Sequence, residues 1–187
     1  MKLFFRNHKQ LLLLLSPFLM ALFFWIIYLL LPKPEKLTAP SSVSDVRIGK
    51  TTASQVATLP NIVNKTALPN GKTAFDVKTG YAIRGDQIIT DSKTTVFVRK
   101  RVSSDDKNQT LGVYTAQLGQ PEEEIMGSKH YGEAATLFLY ASKGIAILGN
   151  KHSGEVFETQ TFIPTNVENY KTLYGQDILP PVQKLGD

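Results

Sequence analysis

The sequence predicts an α+β protein, with an N-terminal transmembrane helix followed by an antiparallel sheet domain made of two helix-plus-β-meander units. An uncharged run of 21 residues, Leu11 to Leu31, is long enough to span a bilayer. Beyond it, short helical segments are followed by several consecutive strands, a pattern typical of antiparallel α+β layers. The order of helix, loop and three strands occurs twice, with a period of about 60 residues.

The composition is that of a globular chain without cysteine. Of its 187 residues, 42% are hydrophobic and 20% are charged. The lack of cysteine excludes disulfides, thiol catalysis and lipid attachment through a thiol. The first 36 residues carry five basic residues and one acid, whereas the remainder carries 16 basic and 15 acidic residues. The net charge of +5 therefore belongs mainly to the membrane flanks, and we expect no nucleic-acid partner.

The predicted transmembrane helix covers residues 11–31 and follows a cytoplasmic N-terminus, residues 1–10. At 1.5 Å per residue the helix spans about 30 Å, the thickness of the hydrocarbon core. A cleaved signal peptide is the alternative, but such peptides have a shorter apolar core, and Pro32-Lys33-Pro34 follows without an adjoining small-residue cleavage site. We therefore expect an uncleaved signal-anchor that contacts the lipid bilayer through Leu11 to Leu31. The excess of basic residues before it favours a periplasmic or extracellular C-terminal domain.

A short stalk, residues 32–46, is rich in proline and serine and leads to a first α+β unit at residues 47–102. Thr51 or Thr52 can cap a short helix that ends by Pro60, and Asn70-Gly71 marks a turn after a loop. Three strands are then expected, at 72–78, 81–90 and 93–102. The third alternates clearly, with Val96, Val98 and Lys100 on one face and Phe97, Arg99 and Arg101 on the other.

The second α+β unit is predicted at residues 109–175, with a tail at 176–187. A helix at 110–118 ends at Gly119-Gln120-Pro121, and Glu122-Glu123-Glu124 is interpreted as the first turn of another helix. Three strands are expected at 135–141, 144–149 and 155–163. A final helix from Asn166 to Tyr174 follows a capping box formed by Thr165 and Glu168. We expect the helices to cover one face of the sheet and to leave the other partly exposed.

The helix ends and turn glycines resemble those of the small outer-membrane assembly lipoproteins, whose fold is shared with β-lactamase inhibitor protein. Leu118-Gly119-Gln120-Pro121 matches the helix end of that family, and Tyr140, Gly144 and Gly154 match positions in its meander. In the first unit the match is looser, at Gly49, Thr51, Val56, Leu59 and Pro60. The resemblance implies a protein-binding scaffold without catalytic chemistry. This chain departs from the family in lacking the lipidated cysteine, which a transmembrane helix would replace.

Catalytic and metal-binding patterns are not found in the sequence. His8, His130 and His152 lack the spacing of a metal site, and there is no Gly-x-Ser-x-Gly nucleophile motif. We therefore expect no catalytic residue, no cofactor and no metal. The sequence predicts a non-catalytic protein-binding or assembly module at the cell envelope, with another envelope protein as its partner. The alternatives are a structural subunit that uses its transmembrane helix as an interface and a membrane-tethered hydrolase.

Five tyrosines are the candidates for a partner surface, because aromatic residues are enriched at protein interfaces. They are Tyr114, Tyr131, Tyr140, Tyr170 and Tyr174. Two tripeptides that begin at Asn64 and Asn108 are acceptors for N-glycosylation, which would matter only in a eukaryotic secretory pathway.

Overall fold

The computed structural model describes residues 20, 22, 23, 25, 26, 39–79, 85–102 and 109–179. The chain divides into two compact units, Met1–Lys36 and Leu37–Asp187. The five described residues of the first unit are helical and exposed. Most of the predicted transmembrane helix, the cytoplasmic N-terminus, most of the stalk and the end of the tail lie outside the described residues. Within the part that is described, no helix is both long and apolar enough to cross a membrane.

Among its described residues, the second unit contains one eight-stranded antiparallel sheet and three short α-helices. The helices are α1 (Ala53–Val56), α2 (Leu111–Leu118) and α3 (Val167–Tyr174), and the strands are β1 (Ile62–Leu68), β2 (Lys72–Val77), β3 (Asp86–Thr90), β4 (Thr95–Arg101), β5 (Glu123–Ser128), β6 (Gly132–Tyr140), β7 (Ile145–Asn150) and β8 (Val156–Phe162). The strand order is β1-β2-β3-β4-β8-β7-β6-β5. This confirms the predicted antiparallel sheet with accompanying helices, in a domain that is mostly β.

The two edge strands, β1 and β5, are the main correction to the predicted elements. The sequence predicts a loop where β1 lies and a loop with a helical first turn at Glu122–Glu124, and both predictions are wrong. Glu123 and Glu124 instead pair with β6. Edge strands have little buried surface, so their residues do not alternate in polarity: Val63 of β1 is 63% exposed and Met126 of β5 is 76% exposed.

Helices cover parts of both sheet faces, whereas the sequence predicts helices on one face alone. Val56 of α1 packs against Phe75 and Ile88, and Leu111 of α2 packs against Phe138 and Ile147 on that same face. Tyr170 of α3 packs on the opposite face, in a cluster that includes Ala74, Ile89, Phe97, Leu137, Leu139 and Phe162. The three helices therefore enclose the sheet from two sides.

The strand β4 places its residues largely as its alternation predicts. Val98 belongs to the α1 cluster, and Phe97 belongs to the α3 cluster on the other face. Val96 is the exception: the register shifts where β3 and β4 begin to pair, and Val96 joins the same cluster as Phe97. A β-bulge of this kind changes which face a side chain occupies.

Capping side chains fix the helix starts next to the sheet. The Thr52 hydroxyl accepts a hydrogen bond from the Gln55 N–H at the start of α1, as predicted. At α3 the cap is Asn166, whose side chain accepts from the Asn169 N–H, and not the predicted Thr165. This cap places the aromatic side of α3 on the sheet, where the Tyr174 ring stacks on Phe97 with ring centroids 4.6 Å apart.

Candidate functional site

In the described part of the chain, nothing pairs with the outer edge of β1. Among the described residues β1 pairs only with β2, and its residues from Val63 to Ala67 are exposed. A strand at a sheet edge presents backbone N–H and C=O groups that can pair with a strand of another protein. A bulge between Ile62 and Asn64 and the charge of Lys65 are features that limit indiscriminate pairing at such an edge. This edge is the surface of the domain best suited to a partner strand.

The opposite edge, β5, is partly covered by the C-terminal segment. Ser128 bridges Ile178, and the Lys129 N–H donates to the Asp177 carbonyl at 2.9 Å. Gly127 lies against Leu179 so closely that an added Cβ would approach the Leu179 side chain to 3.0 Å. The C-terminal segment thus closes one end of β5, and as far as the structure describes the chain, β1 has the longer open edge.

A buried polar cluster fixes this C-terminal segment to the sheet. Arg99 of β4 is 4% exposed and Glu158 of β8 is 2% exposed. The Arg99 guanidinium places Nη1 3.3 Å from Asp177 Oδ2 and Nε 3.8 Å from Glu158 Oε1. The Tyr131 hydroxyl donates to Glu158 Oε1 at 3.1 Å. Arg99 therefore links the two central strands to the residues that follow α3.

The space beside this cluster is too small for an organic substrate. The cavity is about 20 Å³ and is lined by Glu158, Gln160, Tyr170 and Asp177, among others. A volume of that size holds about one water molecule. The Tyr170 hydroxyl closes it from the helix side by donating to Gln160 Oε1. We call the cluster of Arg99, Tyr131, Glu158 and Asp177 the clamp, because it fixes the segment that follows α3 to the sheet.

The structure distributes the five candidate tyrosines over both faces and does not bring them together in one patch. Tyr140 and Tyr170 are buried, and the Tyr140 hydroxyl donates to the Gly119 carbonyl at 3.1 Å. These two residues offer a partner almost no surface. Tyr114 packs against the α2 cluster, whereas Tyr131 and Tyr174 pack against the α3 cluster, and all three are half-buried.

The two histidines of the domain lie in turns. His130 Nε2 is 3.2 Å from Asp177 Oδ1, beside the clamp, and His152 is exposed in the β7–β8 turn. Across the described residues, no group of three or more His, Cys, Asp or Glu is arranged to hold a metal ion. His130 therefore acts as a further contact to the C-terminal segment.

Asp86, at the start of β3, is a buried carboxylate of a different kind. It is 3% exposed, and its Oδ1 accepts a hydrogen bond from the Arg101 N–H at 2.7 Å. Burial raises the pKa of Asp86 above its ordinary value of 3.8, and the Arg101 N–H and the charge of Lys100 offset this only in part. The folded domain therefore binds the Asp86 proton more tightly than the unfolded chain does.

We expect Asp86→Asn to keep the bond to Arg101 and to change the free energy of unfolding at pH 7 by less than about 1 kcal/mol, or to raise it. Asp86→Ala leaves the Arg101 N–H without this partner and should lower the free energy of unfolding by about 1–2 kcal/mol. Ionisation of Asp86 weakens folding as the pH rises above 3.8, so stability relative to wild type should increase for the Asn variant between pH 4 and pH 7. Urea unfolding at both pH values measures this difference. A relative stability that falls over that range would contradict the raised pKa.

No protein-family model, curated protein or solved structure matches this chain. The open β1 edge, the closed end of β5 and the buried clamp are therefore the features from which its function is argued.

Proposed function

We propose that this chain is a single-pass, membrane-anchored and non-catalytic protein-binding or assembly module at the cell envelope. Its N-terminus is cytoplasmic, its helix at residues 11–31 anchors it, and its sheet domain is periplasmic or extracellular. The open edge of β1 carries the proposal, because a partner strand can extend the sheet there without any rearrangement of the core. The partner is another protein of the envelope.

The sheet domain is best described as two related units, each a helix followed by a four-stranded meander. Corresponding strands begin 59 to 61 residues apart, at 62 and 123, 72 and 132, 86 and 145, and 95 and 156. Gly85 and Gly144 each immediately precede the third strand of their meander. Arg99 and Gln160 are the fifth residues of β4 and β8 and pair with each other. Such pairing is expected if an approximate two-fold axis passes through them.

The proposed two-unit organisation is of the kind that a resemblance to the small outer-membrane assembly lipoproteins would imply. It also gives the proposal a physical basis. When two units pair through their last strands, their first strands become the edges of one wide sheet. One of those edges, β1, then stays available for a partner.

The membrane topology can be tested with introduced cysteines, because the chain has none of its own. We expect a cysteine at Ser92, in the exposed β3–β4 turn, to react with a membrane-impermeant maleimide on the outside of intact cells. A cysteine at His8 should react only after the membrane is permeabilised. Labelling of His8→Cys from outside, or of Ser92→Cys only after permeabilisation, would contradict the proposed orientation.

The β1 edge can be tested with prolines at two adjacent positions, Lys65 and Thr66. Neighbouring residues of a strand direct their N–H groups to opposite sides, so one proline removes a bond to β2 and the other removes only an outward N–H. We expect one variant to lose Tm by several degrees, since it loses a ladder hydrogen bond. The other should keep its Tm and still lose partner binding.

Partner binding is measured by a photoreactive residue at Ala67 in the cells that make this protein. We expect a discrete protein adduct at Ala67, absent in the proline variant that keeps its Tm. The same photoreactive residue at Gln117, exposed on α2, serves as the control and should not give that adduct. An adduct that persists in both proline variants would show that the partner does not use this edge.

The alternative of a structural subunit is separated by changing the helix alone. Replacing Leu11 to Leu31 with an unrelated apolar sequence of equal length should leave the Ala67 adduct intact. Loss of the adduct on this change, with membrane anchoring retained, would favour the transmembrane helix as the interface.

A further inference from the structure

The near-neutral charge of the sheet domain conceals a separation between its two halves. Residues 39–102, which we call the basic half, contain ten basic and four acidic residues, whereas residues 109–187 contain five basic and nine acidic residues. The corresponding net charges are +6 and −4. The half of the domain that is nearer the predicted transmembrane helix in sequence is therefore strongly cationic.

Most cations of the basic half lie at the surface without a carboxylate partner. Arg99 is the buried exception, and its guanidinium forms an ion pair with Asp177 in the clamp. Six exposed cations form no ion pair with a carboxylate in the part of the chain that the structure describes: Arg47, Lys65, Lys78, Lys93, Lys100 and Arg101. In the other half, Lys151 pairs with Glu124 and Lys171 pairs with Glu123.

The four acids of the basic half accept hydrogen bonds from neutral groups. Asp86 is buried and accepts from a backbone N–H, and Asp76 accepts from the side-chain amides of Asn64 and Gln87. Asp91 accepts from two backbone N–H groups of its turn. Asp45 accepts from Ser41 and Ser42, and these bonds lower its pKa. These acids thus stabilise local structure through neutral donors. Lys100 and Arg101 act on Asp86, and Lys93 acts on Asp91, only through their charges and not as ion pairs among the described residues.

We propose that the basic half docks onto the anionic headgroups of the bilayer in which this chain is anchored. The proposal rests on the proposed membrane anchor. A fully extended chain from Leu31 to Arg47, the first cation of the basic half, is about 53–58 Å long, so Arg47 cannot lie further than that from the end of the anchor. Lysine and arginine side chains that lie close to a bilayer are attracted to any anionic headgroups on that side, and this attraction falls off within about a Debye length. The opposite charge of residues 109–187 gives the domain an orientation, with its basic half toward the bilayer.

The orientation can be measured by energy transfer from a single dye to acceptor-labelled lipid. The full chain is reconstituted into vesicles of phosphatidylcholine, with or without phosphatidylglycerol. The dye is attached to a cysteine introduced at Ser92, in the basic half, or at Ser153, in the β7–β8 turn. We expect transfer from Ser92→Cys to rise at least about twofold in anionic vesicles and to return to the baseline at about 1 M salt, where the Debye length is about 3 Å. Transfer from Ser153→Cys should not rise.

Two double variants with the same change in net charge test the surface. Lys65→Glu with Lys100→Glu should abolish the rise in transfer. Lys143→Glu with Lys151→Glu, in the other half, should leave it in place. The Tm of each variant is measured alongside the wild type, so that a folding defect is recognised. A rise that is absent in the wild type, or that survives the change at Lys65 and Lys100, would overturn the proposal.

The same vesicles distinguish docking on lipid from self-association and from anchoring. Salt-sensitive oligomers in phosphatidylcholine vesicles, lost in the variant at Lys65 and Lys100, would assign the cations to the acidic half of a second copy and overturn lipid docking. A chain that floats with phosphatidylcholine vesicles at high salt but shows no lipid-dependent transfer keeps the anchor and loses the docking proposal. A chain that binds only anionic vesicles, and only at low salt, keeps the docking proposal and loses the anchor.

Discussion

Replacement of Arg99 by alanine is expected to lower the free energy of unfolding by about 3–5 kcal/mol, because it removes one member of a buried ion pair. Glu158 is 2% exposed and would stay buried without the guanidinium that lies 3.8 Å from it. The Asp177 carboxylate would lose its contact with Arg99 Nη1, and with it the tie between the C-terminal segment and β4. Since small domains are stable by about 5–15 kcal/mol, this loss is a large share of the total.

The exposed pair between Lys151 and Glu124 provides the matched control. Its side chains are 58% and 36% exposed, so Lys151→Ala should cost no more than about 1 kcal/mol. Urea unfolding followed by circular dichroism measures both variants. Equal losses for Arg99→Ala and Lys151→Ala would contradict the view that Arg99 holds the domain together through a desolvated contact.

A double variant separates the loss of the pair from the charge left behind. Arg99→Met with Glu158→Met replaces both ions by apolar side chains, and we expect it to be more stable than Arg99→Ala by at least about 2 kcal/mol. If the double variant is as unstable as the single variant, the contribution of Arg99 lies in packing and not in charge. The comparison therefore shows whether Arg99 stabilises the domain through its charge or through its packing.

Arg99 also shows how far the sequence alone reaches. Alternation along β4 places Arg99 on the same face as Phe97, as the structure confirms. Its partners, Glu158 and Asp177, lie 59 and 78 positions further along the chain, and no local spacing links them to it. The sequence therefore predicts the face that Arg99 occupies, whereas its burial follows only from the pairing of β4 with β8.

The same distinction holds for the strands. Six strands with a buried face are predicted at the observed positions, because burial on one face produces alternation. Residues 81–84 of the predicted strand at 81–90 lie outside the described residues. β1 and β5 have little buried surface, and Glu123 and Glu124 have the charge expected at a helix start, so sequence patterns predict the wrong structure for both strands. The open edge proposed as the functional surface is thus the part of the sheet that sequence patterns describe least well.

The distribution of charge in the domain is likewise hidden when only the total charge of the sequence is considered. A sum over residues 37–187 gives a net charge of +1, from which the sequence predicts no uniform basic surface. The sum cannot show that most cations precede residue 103 and that most acids follow it. Nor can it show that the acids of the basic half accept hydrogen bonds from neutral groups. The charge separation on which the proposed lipid docking rests is therefore visible only after the two halves are treated separately.

Gly144 is a position where an added methyl group would meet both a left-handed backbone conformation and a close backbone contact. It ends the turn between β6 and β7 with φ 68 and ψ 33, a left-handed conformation that favours glycine. Its carbonyl accepts from the Phe162 N–H at 2.9 Å, so β8 passes very close to it. A Cβ added to Gly144 would lie 2.3 Å from the Phe162 carbonyl oxygen and 3.2 Å from Pro164. The backbone of β8 would have to move.

We expect Gly144→Ala to lower the free energy of unfolding by about 2–5 kcal/mol, from left-handed strain of about 1–2 kcal/mol and displacement of packed groups of about 1–3 kcal/mol. Gly71→Ala is the control, since Gly71 has φ 69 and nothing lies within 4 Å of its added Cβ. It should cost the strain alone. The difference between the two variants in urea unfolding therefore measures the contact with β8.

Because the Phe162 ring packs against Tyr170 and Tyr174, a moved β8 should also loosen α3 and speed proteolysis after residue 166. Equal losses at Gly144 and Gly71 would mean that β8 yields freely and that its end is not part of the rigid core.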